Sequence, residues 1–96
     1  MSSFNLSDVV QRLEKMASTL EQLKNELKDY HGNMKSQIDS LEQEGLPREF
    51  INRFREDHLE DISRYFNGLG DHIEQKSLPY TREVIHETEE LANRIG

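Results

Sequence analysis

The feature that most constrains this chain is a heptad pattern of apolar residues in its first half. A helix with a narrow apolar stripe cannot bury that stripe alone, so it packs against another helix. The first core position of the heptad is held by Leu6, Leu13, Leu20, Leu27, Met34 and Leu41. The second core position is held by Val9, Met16, Leu23 and Tyr30, and then by Gln37.

The first helix has a clear start signal. Asn5 is suited to the N-cap, and Phe4 and Val9 are spaced to form a hydrophobic staple around it. We predict a helix over about residues 5–44. It is expected to continue through Gly32, because the heptad keeps its register on both sides of that glycine.

A turn is predicted at the middle of the chain. Gly45 is suited to a left-handed helix cap, and Pro47 is suited to the first turn of a following helix. A turn at residues 45–46, followed by helical structure over 47–94, predicts an all-α fold of one domain spanning residues 1–96. The fold class is a long antiparallel helical hairpin, coiled-coil-like, in which residue i faces roughly residue 91 minus i.

The second half of the chain also places its apolar residues on one helical face. At 100° per residue, the predicted seam of this half comprises Leu59, Ile62, Phe66, Leu69, Ile73, Tyr80, Val84 and Leu91. Gly68, Gly70 and Pro79 interrupt this face, so we expect the second arm to bend or break near residues 67–79. A three-helix bundle is the alternative.

The apolar stripe of the first helix is wider than a two-position seam. Val10, Ala17 and Ile38 each lie one place after the second core position, which suggests more than one neighbouring helix. Phe50 and Phe54 follow the turn, and Phe50 lies off the main stripe. These five residues are the candidate contacts with a partner protein, either a second copy of the chain in an antiparallel homodimer or a different protein.

Composition and charge narrow the classes of partner. The chain is 33% hydrophobic and 32% charged, which suits an elongated helical protein better than a sphere. Its net charge of -7, without a basic patch, would repel nucleic acid and anionic membranes. Residues 1–10 do not resemble a signal peptide, so we expect a cytoplasmic location, with signal-less secretion as the alternative.

The sequence offers little catalytic chemistry. It has no cysteine, no phosphate-binding glycine loop and no nucleophile motif, so we predict no enzymatic activity and no cofactor. Glu83 and His86 match the Glu-x-x-His spacing of carboxylate-bridged metal bundles. His86 lies far from the apolar stripe, so we predict a solvated face here, and a metal-binding bundle is the minor alternative.

Two histidines lie on or beside the apolar stripe of the second half. His58 falls among Phe54 and Ile62, so we expect it to be partly buried, and His72 follows on the same flank. A histidine at the edge of a core, satisfied by a carboxylate or a carbonyl, is the ordinary interpretation. The more specific interpretation is that these histidines form a pH-sensitive switch of association.

These observations together predict a non-enzymatic protein–protein association module. We expect it to self-associate into an antiparallel helical bundle and to act as an adaptor or assembly element. A secreted helical hairpin without a signal peptide, or a partner of secretion-chaperone type, is the alternative. Small secreted hairpins with a Trp-x-Gly turn share the length, acidity and lack of cysteine. In this chain Tyr30-His31-Gly32 has a tyrosine in place of the tryptophan and does not lie at the predicted turn, so we do not assign the chain to that family.

Overall fold

A computed structural model of the chain describes residues 5–95. The first arm is helix α1, Leu6–Gln43. The second arm consists of α2 (Arg48–Arg53), a first π-helical turn (Phe54–Leu59), α3 (Glu60–His72), a second π-helical turn (Ile73–Ser77) and α4 (Leu78–Ile95). No strand occurs within the described residues, and the molecule measures 68 × 19 × 19 Å. The predicted all-α hairpin is therefore confirmed, with a second arm that is joined and bent rather than split into a three-helix bundle.

Helix α1 begins as its sequence predicts. The Asn5 side-chain Oδ1 accepts a hydrogen bond of 3.0 Å from the Ser7 backbone N–H, which satisfies one of the free donors of the first turn. The predicted staple partner Phe4 lies outside the described residues. The helix then runs unbroken through Gly32 for 38 residues, so the glycine does not end it.

The turn at the middle of the chain has the geometry of a Schellman motif. Gly45 has a positive φ of 101°, a conformation that costs glycine little and residues with a Cβ more. The Leu46 N–H donates to the Leu41 carbonyl at 3.0 Å, and the Gly45 N–H donates to the Glu42 carbonyl at 3.2 Å. Pro47 follows directly and precedes α2. This short connection places the two arms side by side and antiparallel.

Two π-helical turns keep the second arm continuous. In a regular α-helix Ile51 and Leu59, eight residues apart, would differ by about 80° in direction. The wider π turn takes up one extra residue, and both side chains are buried. The second π turn precedes Pro79, whose ring would clash with the carbonyl four residues earlier in a regular helix. The predicted bend near residues 67–79 is thus a π turn.

A hydroxyl group supports each of these π turns. The Ser63 Oγ donates to the carbonyl of Leu59, the last residue of the first π turn, at 2.7 Å. The Thr81 Oγ1 donates to the carbonyl of Ser77, the last residue of the second π turn, also at 2.7 Å. Such bonds from a hydroxyl to the carbonyl one turn earlier accompany bending of a helix. Thr81 is itself buried between the arms.

The core lies between the two arms in two clusters. The cluster nearer the turn contains Ile38, Ile51 and Leu59, with Met34 and Leu46 packed against it. The cluster nearer the middle contains Leu27, Ile73 and Leu78, with Ala17, Leu20 and Phe66 packed against it. Only six apolar side chains of the described residues are buried, so the hairpin alone has a thin core.

The pairing of the two arms drifts along the hairpin. Near the turn Arg55 pairs with Asp39, and their residue numbers add to 94, close to the expected sum of 91. Farther from the turn Arg82 pairs with Glu21, and the sum has risen to 103. The prediction that residue i faces residue 91 minus i is therefore wrong away from the turn. The π turns contribute to this drift, because they pack more residues into each unit of length.

Candidate interaction surface

The inward side of α1 differs from the predicted heptad seam by one row of side chains. The first core position does face the second arm, since Leu27 is buried and Leu6, Leu13, Leu20 and Met34 are half-buried. Its last member, Leu41, is exposed. The second core position does not face that arm, because its apolar members are all exposed: Val9, Met16, Leu23 and Tyr30.

The row that replaces them begins one residue later. Ala17 and Ile38 belong to the core clusters with the chain's own second arm, and the half-buried Val10 lines a cavity together with Ala92 of α4. The prediction that these three residues remain free for a partner is wrong. Lys24 and His31 occupy the same row and are half-buried. Phe50 and Phe54, the other candidate contacts, are exposed, as a contact surface requires.

The predicted seam of the second arm is divided in the same way. Leu59 and Ile73 are buried, and Ile62, Phe66 and Val84 are half-buried. Leu69, Tyr80 and Leu91 are exposed. Sequence reasoning missed Leu78 and Thr81, which are only 1% and 3% exposed. Their directions follow from the second π turn, which a uniform step of 100° per residue does not include.

The exposed apolar side chains obey one rule in both arms. Of the twelve large ones within residues 5–95, ten come directly before a buried or half-buried residue in the sequence, as Val9 comes before Val10 and Tyr80 before Thr81. One residue corresponds to a rotation of about 100° about the helix axis, so these side chains lie on the same flank of each arm. We name this set the apolar face: Val9, Met16, Leu23, Tyr30, Leu41, Phe50, Phe54, Tyr65, Leu69, Tyr80, Leu91 and Ile95.

The apolar flanks of the two arms lie on the same broad side of the hairpin. Antiparallel neighbours are related by an approximate two-fold axis perpendicular to the plane of the two helices, so equal rotations about their chain directions end on one side. An open cavity of about 340 Å³ near the turn agrees, because residues of both arms line it. Its lining includes Leu41 from α1 and Phe54 and His58 from the first π turn.

The opposite broad side, which we name the polar face, carries the ion pairs between the arms. Arg82 Nη2 lies 3.1 Å from Glu21 Oε1, and Arg55 Nη2 lies 2.7 Å from Asp39 Oδ1. Both nitrogens of the Arg55 guanidinium also donate to the two carboxylate oxygens of Glu42, each at 3.1 Å. A groove on this side is lined by Lys28 and other charged residues.

The bidentate pair on the polar face shifts both of its partners. Hydrogen bonds from the Arg55 guanidinium, together with its charge, hold the pKa of Glu42 below the ordinary carboxyl value. Hydrogen bonds to Glu42 and Asp39 raise the pKa of Arg55 in turn. Both side chains are substantially exposed to solvent, so this pair orients the arms more than it stabilises them.

His58 lies on the apolar side and not inside the core. The expectation that it is partly buried is wrong, because the first π turn rotates it outward and leaves it exposed. Its ring centroid lies 6.1 Å from that of Phe54, with the planes tilted by 53°. His72 is also exposed.

The Glu-x-x-His spacing does not assemble a cluster of ligands. His86 Nε2 lies 3.2 Å from Glu90 Oε1, one turn along the same helix, and both side chains are exposed. Within residues 5–95, no group of three or more histidine, aspartate or glutamate side chains is arranged to hold a metal ion. This pair is a local contact on the surface of α4.

In the comparisons with known proteins, no family model matches the chain, and the searches of curated proteins and of solved structures return no match. None of the helices in the described part of the chain combines the length and apolarity needed to cross a membrane.

Proposed function

We propose that this protein is a non-enzymatic association module that packs its apolar face against the helices of a partner and acts as an adaptor or assembly element in the cytoplasm. One observation carries the proposal. Within residues 5–95, twelve large apolar side chains are exposed, and most of them lie along one side of the hairpin. Soluble proteins rarely leave so many large apolar side chains on one side in contact with water unless that side binds something.

The identity of the exposed side chains supports the same function. The apolar face includes Met16, Phe54 and three tyrosines, and aromatic residues and methionine are enriched in protein interfaces. Tyr65 is 78% exposed and Tyr80 is 67% exposed, so each presents most of its ring to solvent. Large aromatic side chains near the middle of a contact surface are common hot spots of binding energy.

The contrast between the apolar face and the polar face indicates that the apolar face serves in binding. Charged residues that stabilise a hairpin can surround it on all sides, yet the ion pairs between the arms within residues 5–95 lie on one side. The other side offers side chains that gain free energy by leaving water, at roughly 25 cal/mol for each Å² of apolar area buried.

A pair of matched double variants tests this function. Met16→Glu with Leu23→Glu places two charges on the apolar face. Ser18→Glu with Asn25→Glu places the same two charges, at the same spacing, on the exposed polar side of α1. Both variants should retain the helical circular dichroism spectrum of the wild type, because all four positions are exposed.

Binding is then measured with native protein by affinity capture from extracts and by sedimentation velocity. The wild type and the Ser18/Asn25 variant should bind the same partner, be it a second copy or a different protein. The Met16/Leu23 variant should lose that binding. Equal binding by both variants would contradict the proposal, as would a wild type that neither self-associates nor captures a protein.

A further inference from the structure

The size and shape of the apolar face restrict what can cover it. The face extends along a molecule 68 Å long and 19 Å wide. The broad side that carries the apolar face is therefore larger than the roughly 800 Å² that each partner buries in an interface of standard size. A small globular partner would cover only part of it. A partner that covers all of it is itself an elongated pair of helices with an apolar side of equal length.

We propose that the occupant of the apolar face is a second copy of this chain, with two hairpins stacked face to face as a four-helix bundle. This inference rests on the proposed function and names the partner for the same surface. A second copy has an apolar face of the same length and spacing by construction. Stacking also gives each helix two neighbours, so it adds buried apolar side chains to the thin core of the isolated hairpin.

Charges beside the apolar side chains select one orientation of the two copies. Glu26 follows Leu23 by three residues, and Lys76 precedes Tyr80 by four, so both lie on the apolar side. Their numbers add to 102, close to the sum of 103 for the ion pair between Glu21 and Arg82. Glu26 and Lys76 are therefore at the same height along the hairpin, one on each arm.

Two face-to-face arrangements are possible, and they treat these charges differently. If the turns lie at the same end, α1 of one copy covers the second arm of the other, so Glu26 faces Lys76 of the second copy, twice by symmetry. If the turns lie at opposite ends, each arm covers its own counterpart. Since Glu26 lies near the middle of α1, that arrangement brings Glu26 close to its own symmetry mate, and Lys76 likewise.

Opposite charges at contact favour association, whereas like charges oppose it, so the structure assigns the arrangement with both turns at one end. A second pair agrees with this orientation. Arg12 lies between Val9 and Met16 on the apolar side of α1, and Glu87 lies four residues before Leu91, about one helical turn from the height of Arg12. With the turns together, Arg12 of one copy and Glu87 of the other lie on facing helices, about one turn apart.

The first experiment measures mass and distance. Sedimentation equilibrium should give a mass near twice 11.3 kDa. The chain has no cysteine, so Gln43→Cys provides one attachment site for a spin label, at an exposed position beside the turn. Double electron–electron resonance should then give a label separation comparable with the 19 Å width of the hairpin. A separation approaching its 68 Å length would overturn the proposed orientation.

The second experiment exchanges the charges. Glu26→Lys alone and Lys76→Glu alone should each weaken dimerisation by roughly ten-fold, and the double variant should restore it. Failure of the double variant to restore the dimer would overturn the pairing. A monomeric wild type that still captures a different protein through its apolar face would overturn the second copy as occupant, while leaving the proposed function intact.

Discussion

The two broad faces of this hairpin are built from neighbouring positions of the same helices, yet their chemistry is opposite. Large apolar side chains that are exposed lie mostly one place before an inward position, as Leu23 and Tyr80 do. The places directly after those inward positions are mostly polar, as Asn25 and Arg82 show. A single step of 100° thus separates a surface suited to binding from one suited to water. The difference teaches that each helix carries a stripe wider than its own hairpin can cover.

The largest expected effect comes from shifting the phase that assigns residues to each face. Deleting Asn25 from α1 rotates the part before it by about 100°, which moves Arg12 and Thr19 into the inward places of Leu13 and Leu20. We expect the cooperative thermal unfolding followed by circular dichroism to disappear.

A deletion in the first π turn is the control for that experiment. Removing Asp57, an exposed residue, leaves Ile51 and Leu59 seven residues apart, a spacing that keeps both on one face of a regular α-helix. We therefore expect this variant to remain folded, with a slightly lower melting temperature. Equal damage from both deletions would mean that the helical phase does not decide which face is buried.

A smaller effect should separate the inward side from the apolar face. Leu27 is 7% exposed and Leu23, one turn earlier, is 39% exposed. Leu27→Ala should lower the free energy of unfolding by about 2–4 kcal/mol, because it removes buried methyl groups and leaves a cavity. Leu23→Ala should cost the isolated hairpin less than about 1 kcal/mol.

Urea denaturation measures both free energies of unfolding in parent proteins that do not associate. For Leu27→Ala the parent is the Met16→Glu/Leu23→Glu variant. For Leu23→Ala the parent carries Met16→Glu alone, because position 23 is itself changed. Dimerisation should respond in the reverse order, with Leu23→Ala weakening it in the otherwise native chain. The comparison between the two sides fails if Leu23→Ala destabilises the isolated hairpin as much as Leu27→Ala does.

The smallest effect is expected on the polar face. Arg55→Met keeps the aliphatic stem but removes the hydrogen bonds to Glu42 and Asp39, so stability at neutral pH should fall modestly. Because the folded pKa of Glu42 lies below its unfolded value, its contribution is present above the unfolded pKa and is lost as pH falls through the folded pKa.

The difference in unfolding free energy between wild type and Arg55→Met should therefore shrink as the pH is lowered below the ordinary carboxyl range. High salt should reduce the same difference at neutral pH, because it screens exposed charges. A difference that is independent of both pH and salt would assign the effect of Arg55 to packing and not to its ion pairs.

Much of the fold follows from local rules that act over a few residues. The N-cap at Asn5, the positive φ at Gly45 and the helical periodicity of both arms depend on near neighbours in the sequence. For that reason the hairpin and its turn were predictable. The candidate site was predictable only in part, since Phe50 and Phe54 are exposed as expected, whereas Val10, Ala17 and Ile38 are not.

The sequence by itself therefore determines two amphipathic arms and the turn that joins them. It contains apolar residues at both Val9 and Val10, and at both Met16 and Ala17, so periodicity alone permits either row to face inward. Only the tertiary structure decides between them. The reason is that the choice depends on the rotation of the opposite arm, which the turn, two π turns and the distant pair of Glu21 with Arg82 set together.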